Sequence, residues 1–274
     1  MLSSAEPALD AGPWGLTSAV PASAGAAEVV SAALLAQVRA ALAAVWGHGV
    51  GPLGVARHCP ACGARDHGAP RLTGLPEGRC AVVSFTHLRG ADGSVHRVAA
   101  WWAPPSEAGQ GRCGGPGACL GIGVDLEPVG AQAFGSDDAL GAVAFDPAEQ
   151  VWLRALPEPE RAWGRARLWT RKEALVKAAG TGFTGDPSAV AALHPPAGTC
   201  LIDLSDLSGI VPAPSAGSIV AGLVGVPGMV GVPGVVGVPG VVGAVALRTA
   251  PAVPGQGRGL SLRVRRTGRA APGA

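Results

Sequence analysis

The chain has 274 residues, of which 15% are charged, and its formal net charge is +2. This length is sufficient to bury one large core or two smaller ones, and the small net charge excludes a bulk attraction to nucleic acid. The abundance of glycine (43 residues) and proline (25 residues) indicates long loops, so the folded part is expected to be smaller than the chain.

The N-terminal half is predicted to contain one helix and three strands. Residues 1–27 are rich in Ala, Ser, Gly and Pro without periodicity, and we predict that they are disordered. Apolar residues recur at helical spacing over 28–46, and Gly47 ends this helix. A loop containing cysteine and histidine is predicted over 57–72. The predicted strands are 80–86, 94–102 and 120–126.

The C-terminal half is predicted to begin with helices and to return to strands. Asp146 and Pro147 are the residue types preferred at the N-cap and at the first helical position, which predicts a helix over 148–156. A longer helix is predicted over 158–179, ending at Gly180. The predicted strands of this half are 199–204 and 241–248.

This order of elements predicts an α+β fold of two similar halves. Residues 28–122 form the first half and residues 123–250 form the second, and a basic disordered tail is predicted over 251–274. The start of the chain lacks the basic and apolar regions of a signal peptide. We therefore expect a cytoplasmic protein whose six cysteines are thiols rather than a disulfide framework.

A Val-Pro-Gly repeat like that of elastin fills most of residues 224–243. The repeat is apolar enough to suggest a membrane span. However, its regularly spaced proline and glycine residues prevent a continuous helix in which every backbone group is satisfied. We interpret it as a low-complexity insertion at about 209–242, outside any membrane, and assign it no function.

Two acidic residues end the apolar strand 120–126. Asp125 and Glu127 are two positions apart, so both carboxylates lie on the same face of a strand. Two close carboxylates repel each other unless a cation, an arginine or a shared proton lies between them, and Mg²⁺ prefers such oxygen ligands. Taken alone, this pair is equally explained by a solvated strand end.

A second group lies on the long helix and a third at the end of the strand 80–86. Trp169, Glu173 and Lys177 are spaced four apart and share one helix face, where they suit either a metal-and-phosphate site or a common exposed ion pair. Thr86 and His87 end the strand, where the imidazole of His87 could donate to a phosphate oxygen or serve only a structural role.

Together these groups resemble the motifs of the 4′-phosphopantetheinyl transferases of the Sfp type. The matching residues are Ser84-x-Thr86-His87, then Gly123-x-Asp125-x-Glu127, then Trp169-Thr170-x-Lys172-Glu173-Ala174-x-x-Lys177-Ala178-x-Gly180-x-Gly182. The resemblance covers roughly residues 30–205 and the last strand. It implies a pseudo-twofold arrangement of two α/β halves that meet near Gly121 and Gly123, with coenzyme A bound in the cleft between them, and it implies a monomer.

The resemblance also implies roles for individual residues. Asp125, Glu127 and Glu173 match the Mg²⁺ ligands, and Glu173 is our candidate base. Lys177 matches a lysine that contacts the pyrophosphate of coenzyme A. The residues implied to bind phosphates or the nucleotide are Thr86, His87, Lys172 and the segment His67-Gly68-Ala69-Pro70. Ala69 replaces the lysine that is common in that segment, and Arg71 is the candidate to compensate for its charge.

The implied reaction transfers the phosphopantetheine arm of coenzyme A to a serine of an apo acyl or peptidyl carrier protein, as a holo-acyl-carrier-protein synthase does. Fatty-acid, polyketide and peptide synthesis stay open as pathways. The alternatives are a binding or structural protein that works through its elastin-like repeats, and a different Mg²⁺-dependent phosphotransferase or nuclease.

The loop over 57–72 permits a second interpretation. Cys59 and Cys62 form one Cys-x-x-Cys pair, and His67 or His58 could complete three zinc ligands. Because a second Cys-x-x-Cys pair is missing, we favour a structural loop beside the nucleotide over a zinc site.

Overall fold

The computed structural model describes residues 14–19, 27–47, 49–59, 61–89, 95–103, 119–135, 140–204, 222–224 and 241–249. The helices in these ranges are α1 (Ala27–Trp46), α2 (Leu140–Ala144), α3 (Pro147–Ala155) and α4 (Arg161–Ala179). The strands are β1 (Trp14–Ala19), β2 (Gly54–His58), β3 (Ala69–Thr73), β4 (Val82–Arg89), β5 (Val95–Trp102), β6 (Cys119–Pro128), β7 (Thr199–Asp203), β8 (Gly222–Val224) and β9 (Val241–Thr249).

The strands described here form two sheets. One sheet has the order β2-β3-β4-β5-β1-β8, and the other has the order β6-β9-β7. All of the pairings are antiparallel. This mixed α/β architecture is compatible with the fold that the resemblance implies, while the pseudo-twofold relation between the halves stays a prediction.

The two sheets face each other and carry a helix on each outer side. Side chains of β5 alternate between the two faces of the first sheet, as strand geometry requires. Trp101 packs with Val38 and Leu42 of α1, whereas Val98 packs with Val124 of β6 in the core between the sheets. On the far side of the second sheet, small residues of α4 pack on β9. The order of layers is therefore α1, first sheet, second sheet, α4.

Two glycines allow α4 to lie unusually close to β6. A Cβ atom at Gly121 would overlap the backbone carbonyl oxygen of Ala178, and one at Gly123 would overlap that of Ala174. Gly121, Gly123, Asp125 and Glu127 alternate along one face of β6. The same face that admits the helix therefore also presents the two carboxylates to it.

Helix α3 begins as the sequence predicts, with an additional contact. The side chain of Asp146 accepts a hydrogen bond from the backbone N–H of Glu149, whose carboxylate in turn accepts one from the N–H of Asp146. This capping box satisfies two backbone donors at the helix start. Helix α4 ends at Gly180, which has a left-handed φ of 73°, and the predicted bounds of α1, α3 and α4 agree with the observed ones to within a few residues.

Two predictions about the first half are wrong. Residues 14–19 form β1 instead of disordered chain, because Leu16 is buried in the core between the sheets and β5 pairs along the whole strand. The region 57–72 is not only a loop: its ends belong to the antiparallel pair β2 and β3.

Several predicted segments lie wholly or largely outside the described residues. They are the remainder of 1–27, most of the insertion at 209–242, and the basic tail over 251–274. Within the insertion the structure describes β8, which pairs with β1, and the first two residues of β9. Among the helices that the structure describes, none is long and apolar enough to cross a membrane.

Candidate functional site

Three carboxylates and a lysine meet where β6 faces α4. Asp125 and Glu127 occupy alternate positions of β6, while Glu173 and Lys177 lie one turn apart on α4. We refer to Asp125, Glu127, Glu173 and Lys177 as the acidic cluster. The close packing at Gly121 and Gly123 brings the two elements together here.

Asp125 is the most deeply buried member, with 5% of its surface exposed. Its Oδ1 atom accepts hydrogen bonds from Lys177 Nζ at 2.7 Å and from Thr86 Oγ1 at 3.0 Å. Lys177 also donates to the carbonyl oxygen of Val124 at 3.1 Å. The second carboxylate oxygen, Oδ2, is buried and has no hydrogen-bond partner within the described part of the chain. Such an oxygen is costly unless a ligand or cation satisfies it.

The carboxylates of the cluster resist ionisation in the absence of a bound cation. Burial raises the pKa of Asp125, although the charge of Lys177 opposes this. Burial, followed by the charges of Asp125 and Glu173, raises the pKa of Glu127 to about 7. Burial and the charge of Asp125 also raise the pKa of Glu173. A single ammonium therefore does not neutralise three carboxylates.

This donor set suits a hard divalent cation. Mg²⁺ binds through one or two carboxylates and fills its other positions with water or phosphate oxygens. The orphaned Oδ2 of Asp125 and the mutual repulsion of Glu127 and Glu173 are what such a cation would relieve. The oxygens of Asp125, Glu127 and Glu173 are too far apart to form a closed site as they stand. Among the described residues, the group whose ligand atoms all lie within 4.8 Å of one another is a different one, made of Cys59, Cys62 and His67.

A cavity of about 410 Å³ opens beside the cluster, between the segment that joins β2 to β3 and the end of α4. One wall is the segment from His67 to Pro70, and the other is the end of α4 with Lys177, Gly180 and Gly182. Phe183, just after this end, stacks on Trp169 with ring centroids 5.4 Å apart. This stack fixes the turn that follows α4 against the helix, and the turn forms the cavity wall.

A second cavity of about 430 Å³ adjoins the first, with Arg57 and Phe85 lining both. It lies between α1 and the first sheet, and its polar lining includes Arg65, Arg97 and Thr86. The guanidinium groups of Arg57, Arg65 and Arg97 give this cavity the character of an anion-binding space.

The structure brings some predicted site residues together and separates others. Thr86 contacts Asp125, and His67 lines the same cavity as Lys177. His87 follows Thr86 on β4 and therefore faces the opposite side, where it is exposed and in register with Arg97. Arg71 is exposed on β3 and is not part of the lining of either cavity.

Lys172 does not have the surroundings that a nucleotide contact requires. Its side chain is fully buried and forms an ion pair with Glu149 at 2.7 Å. It also donates to the carbonyl oxygens of Pro187 and Val190. Because these acceptors occupy its ammonium away from the cavity, Lys172 has a structural role here, which corrects our expectation.

Two residues of the site region were given no role from the sequence. Arg57 lines both cavities and donates from Nη1 to the carbonyl oxygen of Gly68 at 2.8 Å, which holds the cavity wall. Ser84 accepts a hydrogen bond from the backbone N–H of Val124 at 3.2 Å and so joins β4 to β6 beside the cluster. Ser84 stands in the recognised strand-end motif, whereas nothing in the sequence distinguishes Arg57 from other arginines.

Comparison with known family models gives a match over one part of the chain. The family model of the 4′-phosphopantetheinyl transferase superfamily matches residues 121–212. These residues include the whole acidic cluster and the whole of α4, which carries two of its members. No curated protein matches the chain. The matched segment supports a 4′-phosphopantetheinyl transferase activity in general.

Proposed function

We propose that this chain is an Mg²⁺-dependent phosphopantetheinyl transferase of the Sfp type, which moves the phosphopantetheine arm of coenzyme A to a serine of an apo carrier protein. The observation that carries the proposal is the buried Oδ2 of Asp125, which has no partner among the described residues and lies among two further carboxylates beside a cavity. The family match over the same residues supports the reaction class.

Asp125, Glu127 and Glu173 would hold the cation. When bound, Mg²⁺ would neutralise charge on the pyrophosphate of coenzyme A. Lys177 is already oriented by Asp125 and Val124, and with 29% of its side chain exposed it can also reach a phosphate oxygen. A lysine held in this way pays little further entropy on binding, so it favours one phosphate position.

We propose that the cavity of about 410 Å³ binds the nucleotide of coenzyme A. A ligand there would lie between the segment 67–70 and the turn that follows α4. The turn offers backbone groups at Gly180 and Gly182 without side chains in the way. The adjoining cavity with Arg57, Arg65 and Arg97 gives the phosphates of coenzyme A a second region of positive charge.

The chemistry requires a base for the carrier serine. In the proposed step the serine oxygen forms a bond to the phosphorus atom next to the pantetheine arm, and the bond from that phosphorus to the bridging oxygen breaks. The serine proton goes to the carboxylate of Glu173, and adenosine 3′,5′-bisphosphate leaves with the bridging oxygen.

The test incubates the full chain with coenzyme A, Mg²⁺ and each of several apo carrier proteins from fatty-acid, polyketide and peptide synthesis. Intact-protein mass spectrometry is expected to show a phosphopantetheine adduct on serine, lost on chelation and restored by added Mg²⁺. Glu173→Gln is the matched variant, because it keeps the size of the side chain. Folded protein that modifies none of the carriers would overturn the proposal and would favour a binding protein or another phosphotransferase.

The same preparation addresses two finer points. We propose that the enzyme acts as a monomer, in accordance with the resemblance, and light scattering during size-exclusion chromatography measures this directly. We propose a cytoplasmic location, which fractionation of the producing cells would test.

A further inference from the structure

The segment between β2 and β3 contains a compact group of metal-binding side chains outside the acidic cluster. The ligand atoms of Cys59, Cys62 and His67 all lie within 4.8 Å of one another. Cys62 Sγ and His67 Nε2 are 3.2 Å apart, and neither cysteine is in a disulfide. We refer to Cys59, Cys62 and His67 as the thiol–imidazole group.

The backbone of this segment turns both thiols to the same side. The N–H of Gly63 donates to the carbonyl oxygen of Cys59 at 2.8 Å, and the N–H of Cys59 donates to that of Ala64 at 2.9 Å. The chain passes through Gly63 with a φ of 74°, a conformation that favours glycine. The backbone N–H groups of Ala61 and Cys62 also hydrogen-bond to the sulfur of Cys59. These donors would stabilise a thiolate bound to a metal.

A neighbouring carboxylate orients the imidazole. Asp66 Oδ1 lies 2.7 Å from Nδ1 of His67, so Nδ1 is the nitrogen that carries hydrogen when the ring is neutral. Nε2 then presents its lone pair toward the thiols. Histidines that bind metals usually donate their other ring N–H to a carboxylate or carbonyl oxygen in this way. The arrangement therefore has both a ligand set and the partner that fixes its geometry.

We propose that Cys59, Cys62 and His67 bind a Zn²⁺ ion. Two thiolates and one imidazole suit this borderline-soft cation and not Mg²⁺, which prefers oxygen ligands. Solvent takes the fourth position, since Cys62 and His67 are exposed. From the sequence alone we favoured a structural loop, because a second Cys-x-x-Cys pair is missing. The hydrogen bonds of the turn and the carboxylate beside His67, which the sequence does not show, now support a zinc site in the absence of that pair.

The ion would tie the cavity wall to the first sheet. Cys59, His67 and the residues from Gly68 to Pro70 line the 410 Å³ cavity. Closing the segment through a metal would hold this wall in one conformation. It would also engage the Nε2 atom of His67, so the contribution of His67 to ligand binding would come through the position of the wall and not through its ring.

The test measures metal directly, without using transferase activity. The full chain is expressed with zinc in the medium, dialysed against metal-free buffer and analysed by mass spectrometry of the elements. We expect about one zinc ion per chain. Replacement with Co²⁺ is expected to give a thiolate-to-cobalt charge-transfer band and the intense visible bands of tetrahedral cobalt.

Matched variants locate the site. Cys62→Ser and His67→Ala are each expected to lower retained zinc below about 0.2 ions per chain, with circular dichroism showing that the fold is kept. His58→Ala and Cys200→Ser, which change a histidine and a cysteine outside the group, are expected to retain the wild-type zinc content. Asp66→Asn is expected to keep the ion but to weaken its affinity about 10–100-fold.

Three results would overturn the proposal. The first is wild-type protein that retains less than about 0.2 zinc ions per chain and gives no tetrahedral cobalt spectrum. The second is full zinc retention in the double variant Cys62→Ser/His67→Ala. The third is a protein mass showing that Cys59 and Cys62 form a disulfide in freshly purified, folded protein.

Discussion

Helix α4 contributes the lysine to two lysine–carboxylate pairs that have the same separation but different surroundings. Lys172 Nζ lies 2.7 Å from Glu149, and Lys177 Nζ lies 2.7 Å from Asp125. The two lysines are little more than one helical turn apart, and each reaches a different neighbouring element. We call Lys172–Glu149 the inner pair and Lys177–Asp125 the outer pair.

The inner pair is satisfied by the protein itself. Both side chains are 0% exposed. Glu149 also accepts hydrogen bonds from the backbone N–H groups of Ala192, at 2.7 Å, and Asp146, at 3.0 Å. The ammonium of Lys172 has three acceptors, since it also donates to two backbone carbonyl oxygens. Nothing in this arrangement calls for a ligand, so its role is to join α3, α4 and the segment after α4.

The outer pair is not satisfied by the protein. Asp125 leaves one buried oxygen without a described partner, and two further carboxylates share the charge of a single lysine. Lys177 is partly exposed to the cavity. The comparison shows that an equal ion-pair distance does not distinguish a structural pair from a functional one, whereas the completeness of its hydrogen bonding does.

Breaking the inner pair is expected to have the largest effect. Lys172→Met leaves the carboxylate of Glu149 buried without its cation, and removal of one partner from a buried pair costs about 3–5 kcal/mol. The free energy of unfolding, measured by denaturant titration, is expected to fall by this amount.

The double variant Glu149→Leu/Lys172→Met is the control for the inner pair. Because it removes both charges, it is expected to recover part of the stability that Lys172→Met loses, although the N–H groups of Asp146 and Ala192 lose their acceptor. If Lys172→Met were as stable as the wild type, the ion pair would not have the structural role assigned to it.

Changing the outer pair is expected to affect activity more than stability. Asp125→Asn keeps the size of the side chain and removes the charge that would hold the cation. We expect transfer to carrier protein to fall about 10²–10³-fold, the range found when one group that stabilises transition-state charge is lost. The free energy of unfolding is expected to change by less than about 1 kcal/mol, since the lost attraction to Lys177 is offset by relief of a buried charge.

Initial rates of adduct formation and a denaturant titration, run on the same preparation, separate these two effects. Transfer at the wild-type rate would contradict the role given to Asp125. A loss of stability as large as that of Lys172→Met would make the outer pair structural as well.

The difference between the two pairs also marks how far the sequence could predict the site. The spacing of four residues between Glu173 and Lys177, and of two between Asp125 and Glu127, was enough to predict which side chains share a face. The prediction that this strand face and this helix face form one site came from the order of the motifs and from the family resemblance. The helices α1, α3 and α4 followed from periodicity and end signals for the same local reasons.

Contacts between residues distant in sequence could not be predicted in this way. Lys172 stands next to Glu173 in the motif, but its role depends on Glu149, which reaches it only after α3 folds against α4. The strand β1 is held by pairing with β5, some 80 residues away. The zinc-binding geometry proposed for Cys59, Cys62 and His67 depends on backbone hydrogen bonds that the residue types alone do not specify.

Because the pKa of Glu127 is raised, the stability of the metal-free protein is expected to depend on pH, and a bound cation is expected to remove this dependence. With the pKa raised from 4.5 to about 7, the folded protein binds more protons than the unfolded chain within this interval. Its stability therefore falls as pH rises through the interval. Relative to Glu127→Gln, which lacks this group, the metal-free wild type is expected to lose about 1–2 kcal/mol after allowance for partial exposure.

Thermal unfolding of both proteins across this pH range, with chelator or with Mg²⁺, measures the effect. Other titrating groups contribute to both proteins, so the difference between them isolates Glu127. Excess Mg²⁺ is expected to stabilise the wild type at neutral pH more than it stabilises Glu127→Gln. An equal pH dependence in the two metal-free proteins would contradict the electrostatic description of the cluster.

The smallest expected effect concerns the turn that follows α4 and lines the cavity. Phe183→Leu removes the stack on Trp169, an aromatic pair worth about 0.5–1.5 kcal/mol beyond its buried area. Because the stack holds the turn that lines the cavity and includes no member of the acidic cluster, we expect the KM for coenzyme A to rise about 2–10-fold with kcat nearly unchanged. Steady-state kinetics with coenzyme A varied at saturating carrier protein gives both values.

Val151→Ala, a change at an exposed position of α3, is the control and should alter neither KM nor kcat. If Phe183→Leu lowered kcat and left KM unchanged, the turn would act on the acidic cluster itself, and the separation between a cavity wall and a reactive centre would have to be abandoned.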